Sequence, residues 1–253
     1  MSDKTFFTKW IGRTIELNTT KPPSAWELVT NLSDKHLQWS AEEYCNDPAT
    51  SAAYGTFLCK SIKNSDDVAV LRILMQIPYG GSEYAIQAER ARQATVIPNA
   101  TTQDELDAAH LLSKNQCTAA PAIRAKETTV QDDSGLVPGG FISYILQEMA
   151  PGTQLNGELF WSYDRKERDC IRDAYKEAWS DWVRSGVPVS TSISHLFWDR
   201  GTSKITIASI ALAVLLEPGE KMEWIDTEWL NVGLTRTTGP NQERVSRKGD
   251  WMW

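Results

Sequence analysis

The sequence predicts an α+β protein, with a small mixed lobe followed by a more helical one. The first observation is a nearly continuous apolar run at residues 68–77, which is rich in β-branched residues and stops at Pro78, as a buried strand does. The second is the stretch 164–184, where apolar side chains recur on one helical face and Gly186 follows. Strands and helices are thus mixed along the chain, with the longest helix in the second half.

The other elements follow from the same two patterns. The first 50 residues look irregular around the break at Pro22 and Pro23, apart from short helices predicted at 24–31 and 41–46. Longer helices are predicted at 83–94 and 102–113, the latter opening with a capping box that runs from Thr102 to Glu105. Further strands are predicted at 54–60, 122–128, 141–149, 195–198 and 204–216.

This order divides the chain into two lobes. Residues 1–149 form the first, with an N-terminal extension, and residues 150–253 form the second, with a polar tail. The tail after Gly239 is expected to be loose, although Trp251 and Trp253 at its end could dock.

Composition excludes several partners. The chain of 253 residues has a net charge of −7 and no basic run, so it is a poor candidate for binding nucleic acid. The first ten residues lack the apolar core of a signal peptide. The longest apolar stretch, residues 205–216, is too short to span a membrane and contains Thr206 and Ser209. We therefore expect a cytoplasmic protein with no membrane or nucleic-acid partner.

Metal and cofactor motifs are absent from the sequence. The four cysteines are widely spaced with no CxxC, and the three histidines are isolated with no HExxH. No GxSxG, GxxxxGK[ST] or GxGxxG motif occurs. We expect no metal site, no cofactor and no disulfide framework.

Three segments resemble a fungal family of kinase-like proteins related to aminoglycoside phosphotransferases and choline kinases. They are AVLRILMQIPYGG (69–81), the region 102–152 with QDDSGLVPGGFISYIL, and AYKEAWSDWVRSGV…HLFWDRGTSKITIAS (174–209). The resemblance implies a protein-kinase-like bilobal fold with a small mixed β lobe and a larger, shortened helical lobe. It places Arg72 where the family has its phosphate-binding lysine, Glu105 as the partner of that residue, and Gln147 and Met149 in the hinge between the lobes.

The resemblance also shows which catalytic groups are missing. It places Ser190 at the catalytic aspartate, His195 at a magnesium-binding asparagine, and Ser209 at the metal-binding aspartate. Magnesium requires hard, mostly anionic oxygen ligands, which two serines and an imidazole do not supply. Residues 186–200 contain one acid, Asp199, and residues 204–216 contain none. Residues 52–57, matched to the phosphate-covering loop, have a single glycine. The chain is therefore predicted not to be a kinase.

Two functions remain open, because the emptied cleft between the lobes would suit an uncharged organic molecule. The first is a metal-free cyclase of the pericyclic, Diels–Alder type in fungal natural-product biosynthesis. The alternative is a pseudokinase that binds a partner protein or ligand without catalysis, using Trp224 and Trp229 as a contact surface. The cleft residues can also have no function and only occupy the space left by the lost catalytic groups. A residual phosphotransferase is a further alternative. As a cyclase, the catalytic candidates are His195, Arg72 and Ser190, and the ligand-binding candidates are Glu105, Gln147, Met149 and Ser209.

Overall fold

The computed structural model describes residues 5–46, 50–211, 213–217, 219–237 and 251–253. The chain folds into two compact units. Unit 1 comprises Met1–Leu106 and Ile123–Met149, and unit 2 comprises Asp107–Ala122 and Ala150–Trp253. The protein thus mixes helices and strands as predicted, and unit 1 is rich in sheet.

Unit 1 is organised around a six-stranded sheet in which every neighbouring pair is antiparallel. Its order is β1-β2-β3-β4-β6-β5. The strands are β1 (Thr14–Leu17), β2 (Ser24–Leu37), β3 (Ala52–Ser61), β4 (Val68–Gln76), β5 (Ile123–Val130) and β6 (Phe141–Gln147). Because β4 lies between β3 and β6 and is buried along almost its whole length, its sequence is apolar without alternation, as predicted.

The two edges of this sheet approach each other. The backbone N–H groups of Asn18 and Thr19, just after β1, donate to Oε2 of Glu127 on β5 at 2.6 and 3.3 Å. The strands share an apolar core cluster, to which Phe7 from the N-terminal extension contributes. The extension is thereby an integral part of unit 1.

The helix predicted at 24–31 is wrong, since these residues belong to a long strand. Trp26 and Leu28, two positions apart, are both buried, which is the period of a strand rather than a helix. The short helix predicted next is present as α1 (Ala41–Asn46).

The next two helices along the chain differ from prediction at their ends. α2 (Gln87–Ala91) is shorter than the predicted 83–94. α3 (Ala100–Lys114) begins before the predicted capping box, because Oδ1 of Asn99 accepts the backbone N–H of Thr102 at 2.9 Å. Asn99 is therefore the capping residue, and Glu105 lies one turn inside the helix with its carboxylate free of a capping role.

Unit 2 is more helical, with two small antiparallel sheets. A 3₁₀ turn at Ile193–His195 precedes β8. The elements are β7 (Thr153–Gln154), α4 (Gly157–Ser162), α5 (Arg165–Arg184), β8 (Leu196–Asp199), β9 (Lys204–Ile207), α6 (Thr227–Val232), β10 (Arg236–Thr237) and β11 (Trp251–Met252). The strand predicted at 204–216 is shorter in the structure, where β9 ends at Ile207.

The long helix α5 matches its prediction closely. Asp164 caps it by accepting the N–H of Glu167 at 2.8 Å, and Gly186 with φ of 87° follows its end. One face of the helix is buried, and it carries Ile171, Ala174, Tyr175, Ala178, Trp179 and Trp182. Within the described ranges no helix is long and apolar enough to cross a membrane.

Candidate functional site

Arg72 and Glu105 form a buried ion pair within unit 1. Arg72 lies on β4 and Glu105 on α3, with 8% and 0% of their surfaces exposed. Nε of Arg72 donates to Oε2 of Glu105 at 2.5 Å, and Nη2 donates to Oε1 at 2.8 Å. The predicted proximity of these two residues is confirmed.

A third residue holds the same guanidinium. Nη1 of Arg72 donates to the hydroxyl of Thr56 on β3 at 2.9 Å. The pairing of Thr56 with Arg72 across β3 and β4 brings the hydroxyl there. A planar guanidinium can make these three bonds at once, whereas a lysine ammonium cannot match a carboxylate edge in this way. Arg72 is thus held rigidly by Glu105 and Thr56.

The connection between β2 and β3 has no phosphate-covering loop of glycines. Residues 38–51 contain no glycine and include α1, whose Tyr44 stacks on Tyr79 with ring centroids 4.7 Å apart. Residues 52–57, expected to be that loop, lie instead in β3, since four of the six are apolar side chains buried in the sheet. The one glycine there, Gly55, packs beneath the rings of Phe7 and Phe57.

The two predicted hinge residues end β6. Gln147 is buried at the last position of β6, where it is paired with Val70 on β4 and Ile123 on β5. Met149 follows two residues later and is 41% exposed. Arg72, Glu105, Gln147 and Met149 therefore all belong to unit 1.

In unit 2, His195 lies in a cluster of hydroxyl groups at the 3₁₀ turn. Its Nδ1 is 3.3 Å from Oγ1 of Thr191 and 3.5 Å from Oγ of Ser192. Ser192 and Ser194 share a hydrogen bond of 2.8 Å, and Gln154 donates to the carbonyl of Ser194 at 2.6 Å. The imidazole is half-buried and its ring is oriented by hydroxyls of its own turn.

Ser209 comes next to this turn through the β8–β9 hairpin. The N–H of Ala208 donates to the carbonyl of His195 at 2.9 Å, which extends the ladder beyond the pair of Leu196 and Ile207. The hydroxyl of Ser209 accepts the N–H of Ala211 at 3.3 Å. The structure thus brings His195 and the Ser209 segment together, while Ser190 lies exposed before the turn.

The nearest acid of the hairpin is at its opposite end. Asp199 accepts from the hydroxyl of Thr202 at 2.8 Å and from the N–H of Gly201 at 2.9 Å, and the Thr202 bond is the main cause that lowers the pKa of Asp199. Four residues of strand at about 3.3 Å each separate it from His195, so it is roughly 13 Å away. In the described ranges no three histidine, cysteine or acidic residues are grouped so that they could hold a metal ion.

Thr56 and Gln154 were not identified from the sequence as site residues, whereas Thr191 lies in the run 190–194 that was expected to line the cleft. Thr56 contacts Arg72 only because two strands pair in one register, and Gln154 reaches Ser194 from another strand of its sheet. No sequence signal marks such partners. Two grooves of unit 2, about 760 and 460 Å³, are formed by α5 with residues of other segments, and neither is lined by His195, Ser190 or Ser209.

Of the comparisons with known proteins, the one with solved structures finds matches. No family model matches the chain, and no curated protein does. Among solved structures, the chain is similar to the kinase PK-1 of the Cydia pomonella granulovirus, with 13% sequence identity and a TM-score of 0.42. The match covers 75% of this chain and 52% of the viral kinase, so the chain spans about half the length of that protein.

Proposed function

We propose that this chain is a kinase-fold protein that does not transfer phosphate and instead binds an uncharged organic molecule, whose metal-free cyclisation it catalyses. One observation carries the proposal. His195 and the Ser209 segment meet at one end of the β8–β9 hairpin. This end offers hydroxyls, an imidazole and aliphatic groups, whereas the only acid of the hairpin, Asp199, lies at its other end.

The topology of unit 1 supports the kinase-like part of the proposal. An antiparallel sheet has one long helix, α3, inserted between β4 and β5, and a buried ion pair ties β4 to that helix. Protein kinases use an ion pair between a strand lysine and a helix glutamate in the same way. Arg72 keeps the charge of that lysine, so the pair survives although the phosphate chemistry does not.

The absence of carboxylates supports the loss of phosphoryl transfer. That reaction depends on positioning and on neutralising charge with magnesium ions held by aspartate and asparagine. Ser190, His195 and Ser209 stand at the matching positions, and Ser209 already accepts a backbone hydrogen bond. Hydroxyls without a carboxylate are poor ligands for a magnesium ion that carries a nucleotide.

His195 is the best placed group for a metal-free reaction. When the hydroxyl of Thr191 donates to Nδ1, the neutral imidazole carries its proton on Nε2. An N–H held in this way can donate to a substrate carbonyl and stabilise the charge that develops there during a cyclisation. A pericyclic reaction is accelerated by this polarisation and by a defined substrate conformation, and it needs no strong acid or base.

A pseudokinase without catalysis is the second candidate, and the hydrogen bonds that hold Arg72 favour it. Because Glu105 and Thr56 hold the guanidinium on three of its N–H groups, Arg72 fits a structural role better than a catalytic one. The expected contact surface of Trp224 and Trp229 receives no support, since their rings meet each other edge to face at 5.3 Å and both are half-buried.

The deciding experiment uses linear compounds that carry a conjugated diene tethered to an enone. Loss of diene absorbance is followed with the full chain, with and without EDTA. The proposal requires an accelerated reaction that EDTA leaves unchanged, and a His195→Ala variant slower by about 10²-fold per folded molecule. His110→Ala, which removes an exposed histidine of α3, is the matched control and should react like the wild type. Equal rates for His195→Ala and wild type would show that His195 takes no part in the reaction. Binding of the compounds without turnover would favour the pseudokinase.

A further inference from the structure

A short segment at residues 251–253, Trp-Met-Trp, is seated on unit 2 as an added strand. Its first two residues form β11 and pair with β10, Met252 opposite Arg236 and Trp251 opposite Thr237. The hydroxyl of Thr235 also donates to the carbonyl of Met252 at 2.7 Å. A ladder of two residues is too short to hold a strand by itself, so the side chains must contribute.

The side chains of this segment enter a groove made by Arg168, Arg172, Trp229 and β10, which we call the tail groove. The ring of Trp253 meets Trp229 edge to face at 5.5 Å, and the guanidinium of Arg172 lies 5.5 Å from the Trp253 ring centroid. Nη2 of Arg168 donates to the carbonyl of Trp253 at 3.2 Å. Trp251 is buried and tilts against Trp253. The tail groove therefore contacts both tryptophan side chains and the backbone of the segment.

The tail groove is held in shape by contacts that do not involve the segment. Nε of Arg172 donates to the carbonyl of Leu234 at 2.8 Å, and Nε1 of Trp229 donates to the carbonyl of Arg172 at 3.2 Å. Nη1 of Arg168 donates to the carbonyl of Tyr163 at 3.0 Å. A groove organised in advance loses little conformational entropy when it binds a peptide.

The resident segment leaves donors around the groove unused. Among the residues that the structure describes, three buried N–H groups near it have no hydrogen-bond partner: Nε1 of Trp161, Nε of Arg168 and Nη2 of Arg172. An unpaired buried donor costs about 1–3 kcal/mol. A peptide with further acceptors can therefore compete with the resident segment.

The spacing of the two strands in the sequence excludes a tight hairpin turn. Thirteen residues, 238–250, separate them, whereas the loops of tight hairpins have about two to five. The pairing of β11 with β10 is therefore not imposed by a tight turn.

We propose that the tail groove is a peptide-recognition site that takes a Trp-X-Trp segment of another polypeptide by strand addition when its own segment leaves. The tryptophans fill the positions of Trp251 and Trp253, and Arg168 binds the peptide carbonyl. The proposal does not depend on the proposed function, since none of the groove residues belongs to the His195 turn.

The test uses the full chain and a labelled peptide of residues 250–253, Asp-Trp-Met-Trp, followed by fluorescence anisotropy. In a variant with Trp251→Ala and Trp253→Ala the resident segment no longer competes. We expect this variant to bind the peptide at least tenfold more tightly than the wild type, and the control peptide Asp-Ala-Met-Ala not to bind. Equal affinities for variant and wild type, or binding of the control peptide, would overturn the proposal.

A second variant and a mass measurement complete the test. If circular dichroism shows the double variant to be unfolded, Trp253→Ala alone is titrated against the same criteria. Mass measurement then identifies the source of the resident segment. A wild-type dimer that becomes a monomer in Trp253→Ala would mean that a second copy supplies it, and would overturn the docking of the chain's own segment.

Discussion

Glu105 accepts two parallel hydrogen bonds from Arg72, one from Nε at 2.5 Å and one from Nη2 at 2.8 Å. The pair joins the central strand β4 to the helix α3, and almost none of its surface is exposed. Its orientation is supported by Thr56, so three elements of unit 1 depend on one guanidinium.

Breaking this pair on one side should be costly. Arg72→Met leaves the Glu105 carboxylate buried without its partner, and we expect the free energy of unfolding to fall by about 3–5 kcal/mol. The double variant Arg72→Met, Glu105→Leu should recover most of that loss, because no charge is then buried. Urea unfolding measures both. Lys60→Met, which breaks the exposed pair of Lys60 and Glu27, is the control and should cost less than about 1 kcal/mol. A double variant no more stable than Arg72→Met would contradict the argument.

Magnesium and ATP should not bind. Ser190, His195 and Ser209 present no carboxylate to the metal, and residues 38–51 provide no glycine loop for the phosphates. Isothermal titration calorimetry with Mg-ATP should therefore show no binding up to millimolar nucleotide. A dissociation constant in the micromolar range would show that other groups hold the metal and would restore phosphoryl transfer as a function.

Asp181 should make unit 2 sensitive to acid. Burial favours its neutral form, but hydrogen bonds from the N–H and hydroxyl of Thr118 and from the N–H of Ala119 outweigh burial and hold its pKa below the ordinary 3.8. Because the pKa is lower in the folded state, the stabilisation is present above pH 3.8 and is lost as the pH falls through the folded pKa.

The variant Asp181→Asn isolates this contribution. At pH 7 it should unfold more easily by about 1–2 kcal/mol, and the difference from wild type should shrink towards pH 2. Urea unfolding at a series of pH values provides the measurement. Asp173→Asn, an exposed carboxylate on the same helix, serves as the control and should change little. A difference that is independent of pH would show that the charge of Asp181 is not what matters.

Gly152 should not tolerate a side chain. Its φ is +90°, and a Cβ there would overlap the carbonyl of Trp198 and lie 2.7 Å from the backbone nitrogen of Asp199. Gly81 has a similar φ of +94° but open space around it. Gly152→Ala and Gly81→Ala both have the backbone strain, but only Gly152→Ala has the clash. Thermal or urea unfolding should therefore show that Gly152→Ala lowers the free energy of unfolding by about 2 kcal/mol more than Gly81→Ala does. Equal losses would mean that β7 shifts to make room.

Local patterns in the sequence were enough to identify the elements that bury one continuous face. The apolar run of β4 and the one-sided helix α5 were both predicted near their observed limits. The lack of acids in the segments around His195 and Ser209 is also a property of the sequence alone, since residues 186–200 contain only Asp199 and residues 204–216 contain none. These features depend on neighbours a few residues apart, and periodicity and composition report on those directly.

Other features depended on contacts between distant segments. The few apolar residues of 24–31 fit either a helix or a strand. These residues form a strand because they pair with β1 and β3. The pairing of Glu105 with Arg72 depended on where the helix meets the sheet. Strand register brought Thr56 to Arg72, which is 16 residues away in the chain. Packing brought Trp253 to Arg172, which is 81 residues away. Sequence spacing contains no such information, so only the tertiary structure decided these contacts, since register and packing are set by all the segments at once.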